Sequence, residues 1–192
     1  MEATYFFDPA CPFTWRTSRW LVAVAPDRDV TVHWRAFSLS ILNGDNVPDQ
    51  YKPMMAASSR ALRLVEALRA DHRDETIGAF YTELGTRTHD AGEPLSDDIV
   101  VAAAEAAGVA DPKTVLDDAS WDEAVRESHE LAFGSAGPGI GSPVLLIEGA
   151  TRGLHGPIID TVPDREEALA IWDATVPLAR STTFFELKRG RS

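Results

Sequence analysis

The order in which the hydrophobic period changes along the first part of this chain limits its possible folds more than any other feature. Residues Ala3–Phe7 are aromatic and β-prone. The run ends at Asp8-Pro9, because a proline turns the preceding residue away from helix and closes a strand. From Pro12 to Ala25 the period is helical. Proline suits the first turn, Trp20, Leu21 and Val24 fall on one face, and Pro26 stops the run. Residues Val30–Leu39 alternate again, with Val30, Val32 and Trp34 set against Thr31, His33 and Arg35. Strand, helix, strand is a βαβ opening, which asks for two parallel strands with a helix packed across them.

The period then stays helical from about Asn43 to Gly134, with breaks near Gly92-Glu93-Pro94, Gly108 and Asp111-Pro112. After the glycine-rich stretch 134–142, Pro143–Gly149 reads as a buried strand and Thr151–His155 as a short strand that closes a hairpin. Asp164 followed by Glu167 is a D-x-x-E capping box opening a last helix through Ala168, Ile171, Trp172, Thr175 and Val176. The expected architecture is an α/β thioredoxin-like fold carrying an inserted α-helical subdomain. Residues 1–42 and 135–192 would form the thioredoxin-like domain and 43–134 the helical insertion.

At 192 residues and 44 % hydrophobic content the chain can bury one substantial core. Its net charge of −12, spread along the chain, repels nucleic acid and anionic membranes, so neither is an expected partner. The basic end Lys188-Arg189-Gly190-Arg191 reads as a solubilising tail. No secretory signal follows Met1 and no apolar run reaches spanning length, which suggests a cytoplasmic protein. A single cysteine cannot form an internal disulfide, so any disulfide must join Cys11 to another molecule. The remaining histidines, His33, His72, His129 and His155, occur singly without ligand spacing, and no metal is expected. The stretch Gly134–Gly141 lacks the Lys-Ser/Thr ending of a phosphate-binding loop and precedes a strand.

Cys11 lies just after a strand and at the mouth of a helix, where free backbone N–H groups and the positive dipole end favour thiolate over thiol. That placement makes it the candidate nucleophile instead of a small core hydrophobe.

The motif Asp8-Pro9-x-Cys11-Pro12-x-x-Trp15 resembles the active-site loop of DsbA-like thioredoxin-fold oxidoreductases, and Thr17-Ser18-Arg19-Trp20-Leu21 resembles their actinobacterial branch, the mycothiol-dependent nitroreductases. The likeness extends to Ser38–Asn43, Pro48–Tyr51, Gly85–His89, Trp172–Ala174 and Phe184–Arg189, which is nearly the whole chain. The family pattern has a second cysteine where this chain has Thr14. The resemblance therefore implies a monothiol enzyme, with Thr14 donating a hydrogen bond to the Cys11 thiolate as serine does in kappa-class glutathione transferases. It implies that Gly141-Ser142-Pro143 is a cis-proline loop facing Cys11, with Pro143 cis. It also implies that Asn43, Tyr51 and His89 line the substrate cleft together with Pro12, Phe13 and Ser142, Phe13 replacing the family's tryptophan beside the thiol. No cofactor is expected to be tightly bound. Mycothiol is the implied co-substrate, acting with a small electrophilic or disulfide substrate on a monomer or homodimer. Two alternatives stand beside this: a kappa-class transferase or isomerase-like enzyme that positions a bound thiol, and a redox-silent ligand-binding protein of the same fold.

Overall fold

The computed structural model describes residues 1–190 and contains a four-stranded sheet in the order β2-β1-β3-β4. Strand β1 (Glu2–Phe7) pairs in parallel with β2 (Thr31–Ala36), as the βαβ opening requires, and antiparallel with β3 (Val144–Ile147). Strand β4 (Leu154–His155) completes the hairpin on β3. Of the basic end, Arg191 lies outside the described residues.

Helix α1 (Pro12–Val24) crosses from β1 to β2, and α8 (Arg165–Arg180) packs beside it. Their contact is built on two fully buried tryptophans, Trp20 and Trp172, with ring centroids 5.8 Å apart; the Trp20 indole N–H donates to the Ala168 carbonyl at 2.9 Å. The predicted cap of α8 is present, Asp164 accepting from the Glu167 N–H at 3.0 Å.

The expected strand through Leu39 stops at Ala36. Ser38 ends it by accepting a hydrogen bond from the Ile41 N–H and so capping a short helix, α2 (Leu39–Asn43). The helical region continues as α3 (Lys52–Ala70), α4 (Asp74–Gly85), α5 (Asp97–Ala106), α6 (Pro112–Asp117) and α7 (Asp122–Ala136). Helix α4 runs directly into a π-turn, Thr86–Asp90.

These helices lean on the free side of β2, where two outward-facing strand N–H groups meet carboxylates instead of another strand. Trp34 N–H donates to Asp74 at 3.2 Å, and Ala36 N–H to the fully buried Glu66 at 2.9 Å. On the same face Tyr5, Phe7, Trp34 and Tyr81 form an aromatic cluster, Phe7 stacked on Tyr81 at 4.1 Å and Tyr5 edge-on to Trp34 at 5.6 Å. The cluster joins the insertion to the sheet directly under the C-terminal end of β1. Two X-Pro bonds are cis, Ser142–Pro143 and Gly156–Pro157.

Candidate active site

The chain leaves β1 through a turn, Asp8–Cys11, closed by the Cys11 N–H on the Asp8 carbonyl at 3.1 Å. Cys11 sits at the N-cap position of α1 in extended conformation, and its side chain caps nothing. Pro12, at the first helical position, has no N–H to offer; the first turn carries no acidic side chain. The thiol is therefore half-buried at the positive end of a helix with no nearby carboxylate in that turn to oppose a negative charge. Its Sγ–H points at the Ser142 carbonyl, 3.7 Å away.

Thr14 is fully buried, and its hydroxyl does not bond the Cys11 sulfur as the resemblance implied. It donates to Ser142 Oγ at 2.9 Å, and the same oxygen accepts from the Asp8 N–H at 3.2 Å. The Thr14 carbonyl in turn accepts from the buried Tyr5 hydroxyl at 2.7 Å. Thr14 thus ties the first turn of α1 to the loop before Pro143, and this tie holds the Ser142 carbonyl against the thiol.

Asp8 is 1 % exposed. Its carboxylate accepts from Ala10 N–H at 2.8 Å, from Leu39 N–H at 2.7 Å and from Ser58 Oγ–H at 2.5 Å. Burial raises its pKa, and the three hydrogen bonds oppose that rise. Through one side chain the thiol loop is fastened to the starts of α2 and to α3.

The π-turn brings a second group to the loop. His89 Nε2 lies 2.8 Å from the Pro9 carbonyl, and its ring stacks on Trp15 with centroids 6.2 Å apart. Trp15 donates its indole N–H to Asp90 at 2.9 Å and carries the Arg19 guanidinium 4.1 Å over its ring. Gly85 permits this contact, since a Cβ there would lie 2.1 Å from the Trp15 ring. Burial lowers the pKa of His89, so the ring is neutral at pH 7.

A family model described as Rv2466c-like, mycothiol-dependent nitroreductase Rv2466c, matches residues 10–189, which span all of the geometry above from Cys11 onward. The chain belongs to this family. Among curated proteins, the uncharacterized protein Rv2286c of Mycobacterium tuberculosis is 29 % identical over 197 residues, covering 98 % of this chain and 81 % of that protein. Among solved structures, the probable DsbA oxidoreductase SCO1869 of Streptomyces coelicolor superposes with a TM-score of 0.56 at 18 % identity, over 98 % of this chain and 93 % of that one. The cytosolic disulfide reductase DsbM of Pseudomonas aeruginosa does so with a TM-score of 0.58 at 15 % identity, over 93 % and 100 %. The fold is thus the DsbA-like thioredoxin fold, and the Rv2466c-like chain is a thiol-dependent oxidoreductase.

In this Rv2466c-like chain the other cleft candidates divide. Ser142 and His89 are bonded to the thiol loop or to its neighbours. Pro12 is exposed beside Cys11, and Phe13 is half-buried with the Arg16 guanidinium 5.5 Å from its ring. Asn43 is exposed and donates to the Leu39 carbonyl at 2.8 Å, bracing α2. Tyr51 is 46 % exposed just before α3. Both are sequence neighbours of residues lining a surface cleft formed by Ser40, Gly44, Asp45, Lys52 and Met55, a lining that includes no residue of the thiol loop. Sequence reasoning missed the carboxylate of Asp8 and its partner Ser58. The available signal was an acidic residue ending an otherwise apolar strand, a position that burial would make costly without donors.

Proposed function

We propose that this protein runs a monothiol exchange cycle in which Cys11 attacks the S–S bond of a small disulfide and mycothiol regenerates it. The observation that carries this reading is the half-exposed Cys11 sulfur at the head of α1, 3.7 Å from the Ser142 carbonyl. With a mixed disulfide R–S–S–X as substrate, the Cys11 thiolate bonds the R-side sulfur and expels X as its thiolate. A second molecule of R–SH then attacks the R-side sulfur of the adduct, releasing R–S–S–R and the Cys11 thiolate. No sulfhydryl but Cys11 exists in the chain, so the adduct cannot be resolved internally and must wait for the outside thiol. Thr14 and Pro143 hold the reacting geometry. Pro12, Phe13, Ser142, Asn43, Tyr51 and His89 line the cleft, and the protein works in the cytoplasm.

Intact-mass analysis after incubation with mycothiol disulfide tests the cycle. The wild type is expected to gain one mycothiol adduct that free mycothiol removes, and Cys11→Ser none. Thr14→Cys, which restores two thiols one helical turn apart, is expected to lose the adduct by internal attack. A wild type that takes up no adduct overturns the proposal. Tight non-covalent thiol binding in that case would instead support the transferase-like or isomerase-like reading.

A further inference from the structure

The cycle just proposed leaves one proton without an acceptor. The thiol that regenerates Cys11 enters as S–H, and a free thiol is only about 3 % ionised at pH 7. In a dithiol enzyme the resolving group is built in; here it must be activated on arrival.

The titratable groups around the loop differ in their access to that proton. Asp8 is sealed inside three hydrogen bonds, and Tyr5 and Tyr81 are fully buried, with burial holding both as phenols. Asp90 is exposed, and its carboxylate is engaged by the Trp15 indole N–H. His89 is half-buried and combines three properties that the others lack. A carbonyl oxygen can only accept, so the bond to Pro9 places the proton on Nε2 and leaves Nδ1 with its lone pair. Among the described residues nothing hydrogen-bonds Nδ1, and it is not one of the sealed orphan atoms, so it keeps contact with solvent. Its ring is also locked, stacked on Trp15 and tied to a carbonyl two residues before the sulfur, inside the same turn that Cys11 closes.

We infer that His89 is the general base of the regenerating half-reaction, taking the proton of the incoming thiol at Nδ1. This inference rests on the exchange cycle above. The S–H bond breaks as Nδ1 gains the proton. The freed sulfur bonds the R-side sulfur of the Cys11 adduct, and the electron pair of the broken S–S bond returns to Cys11. The imidazolium then gives its proton to water. Groups facing the imidazole are Asp90 on its own π-turn, Arg16 and the Trp15 ring on α1, and the Pro9 carbonyl on the loop that carries Cys11 two residues later. Arg16 disfavours the imidazolium and Asp90 favours it. Because a free thiol is already partly ionised, the advantage of a base at pH 7 is capped at about thirtyfold.

The test separates loading from release. Wild type and His89→Gln are each loaded with mycothiol disulfide, the adduct is isolated, and its removal by free mycothiol is timed by intact mass. Glutamine keeps an N–H that reaches the Pro9 carbonyl but has no basic nitrogen. The ratio of release rate to loading rate at pH 7 is expected to fall about tenfold in His89→Gln and to recover as the pH approaches the ionisation of mycothiol itself. Equal slowing of both steps, as expected if His89 only clamps the loop, overturns the inference, and so does an unchanged ratio. Should His89→Gln fold poorly, the wild type alone decides. Its release rate is expected to level off well below the pH at which mycothiol ionises, whereas a rate that tracks the thiolate fraction throughout excludes a base. A wild type that never loads refutes the exchange cycle instead, and this inference falls with it.

Discussion

The two ends of β1 handle polar groups in opposite ways. At the Phe7 end, Asp8, Thr14 and Ser142 are buried and satisfied by neutral donors and acceptors, and among the described residues no lysine or arginine bonds the Asp8 carboxylate. At the Glu2 end, His33 is partly exposed between Glu2 at 2.6 Å and Asp74 at 3.1 Å, a pair of carboxylates that solvent still reaches. Buried neutral networks lose much when one member is removed, because the others are left unpaired in a low dielectric. Exposed ion pairs lose little. The end with chemistry is therefore expected to be the brittle one, and the distant end the tolerant one.

Gly85→Ala should break the brittle end most severely. The new methyl would overlap a Trp15 ring already confined by Arg19, Tyr81 and Asp90, at an expected cost of about 3 kcal/mol. Urea denaturation measures it, and a loss near zero would show that the π-turn can slide away. Asp8→Ala should come next. It strands the N–H groups of Ala10 and Leu39 and the Ser58 hydroxyl, while relieving the burial of a charge, for a net loss of about 2 kcal/mol and a slower Cys11 alkylation. Unchanged alkylation would deny that this carboxylate sets the thiol loop.

At the other end, Glu2→Gln should cost less than about 1 kcal/mol, and salt should erase most of the effect. The two ends should also respond to pH with opposite signs. Its hydrogen bonds to Asp74 and Glu2 raise the pKa of His33, so its stabilisation is complete below about pH 6.5 and is lost as pH climbs through the raised value. Burial lowers the pKa values of His89 and His129, so their contribution is complete above about pH 6.5 and is lost as pH falls through the lowered values. Denaturation midpoints should show His33→Gln losing its penalty as pH rises from 6 to 8, and His129→Gln becoming relatively more stable below pH 6. Parallel trends in the two variants would refute the contrast.

The sheet and its two flanking helices were legible because their signals are local. Pro9, Pro12 and Pro26 punctuate the periods, and Asp164 with Glu167 marks α8. The end of β2 was marked only by a slip of the alternation at Ala36-Phe37, and the stop itself is set by the Ser38 cap, a matter of backbone direction. At the site, Cys11 could be read from its place between strand and helix. The partner of Thr14 could not, because Ser142 reaches it from 128 residues away. Asp8 with Ser58, and His89 with Pro9, are likewise long-range bonds made only after the insertion folds back on the sheet.

Strand β2 lies at the border of the sheet, a place where a stranger's backbone could add itself. Asp74 and Glu66 already occupy two of its outward amides, and a newcomer would have to evict both carboxylates, one of them entombed, before gaining a single bond. The insertion thus serves as a counterfeit neighbour for the sheet, and an enzyme obliged to keep one reactive sulfur accessible is protected on this flank from the sideways stacking that seeds aggregates.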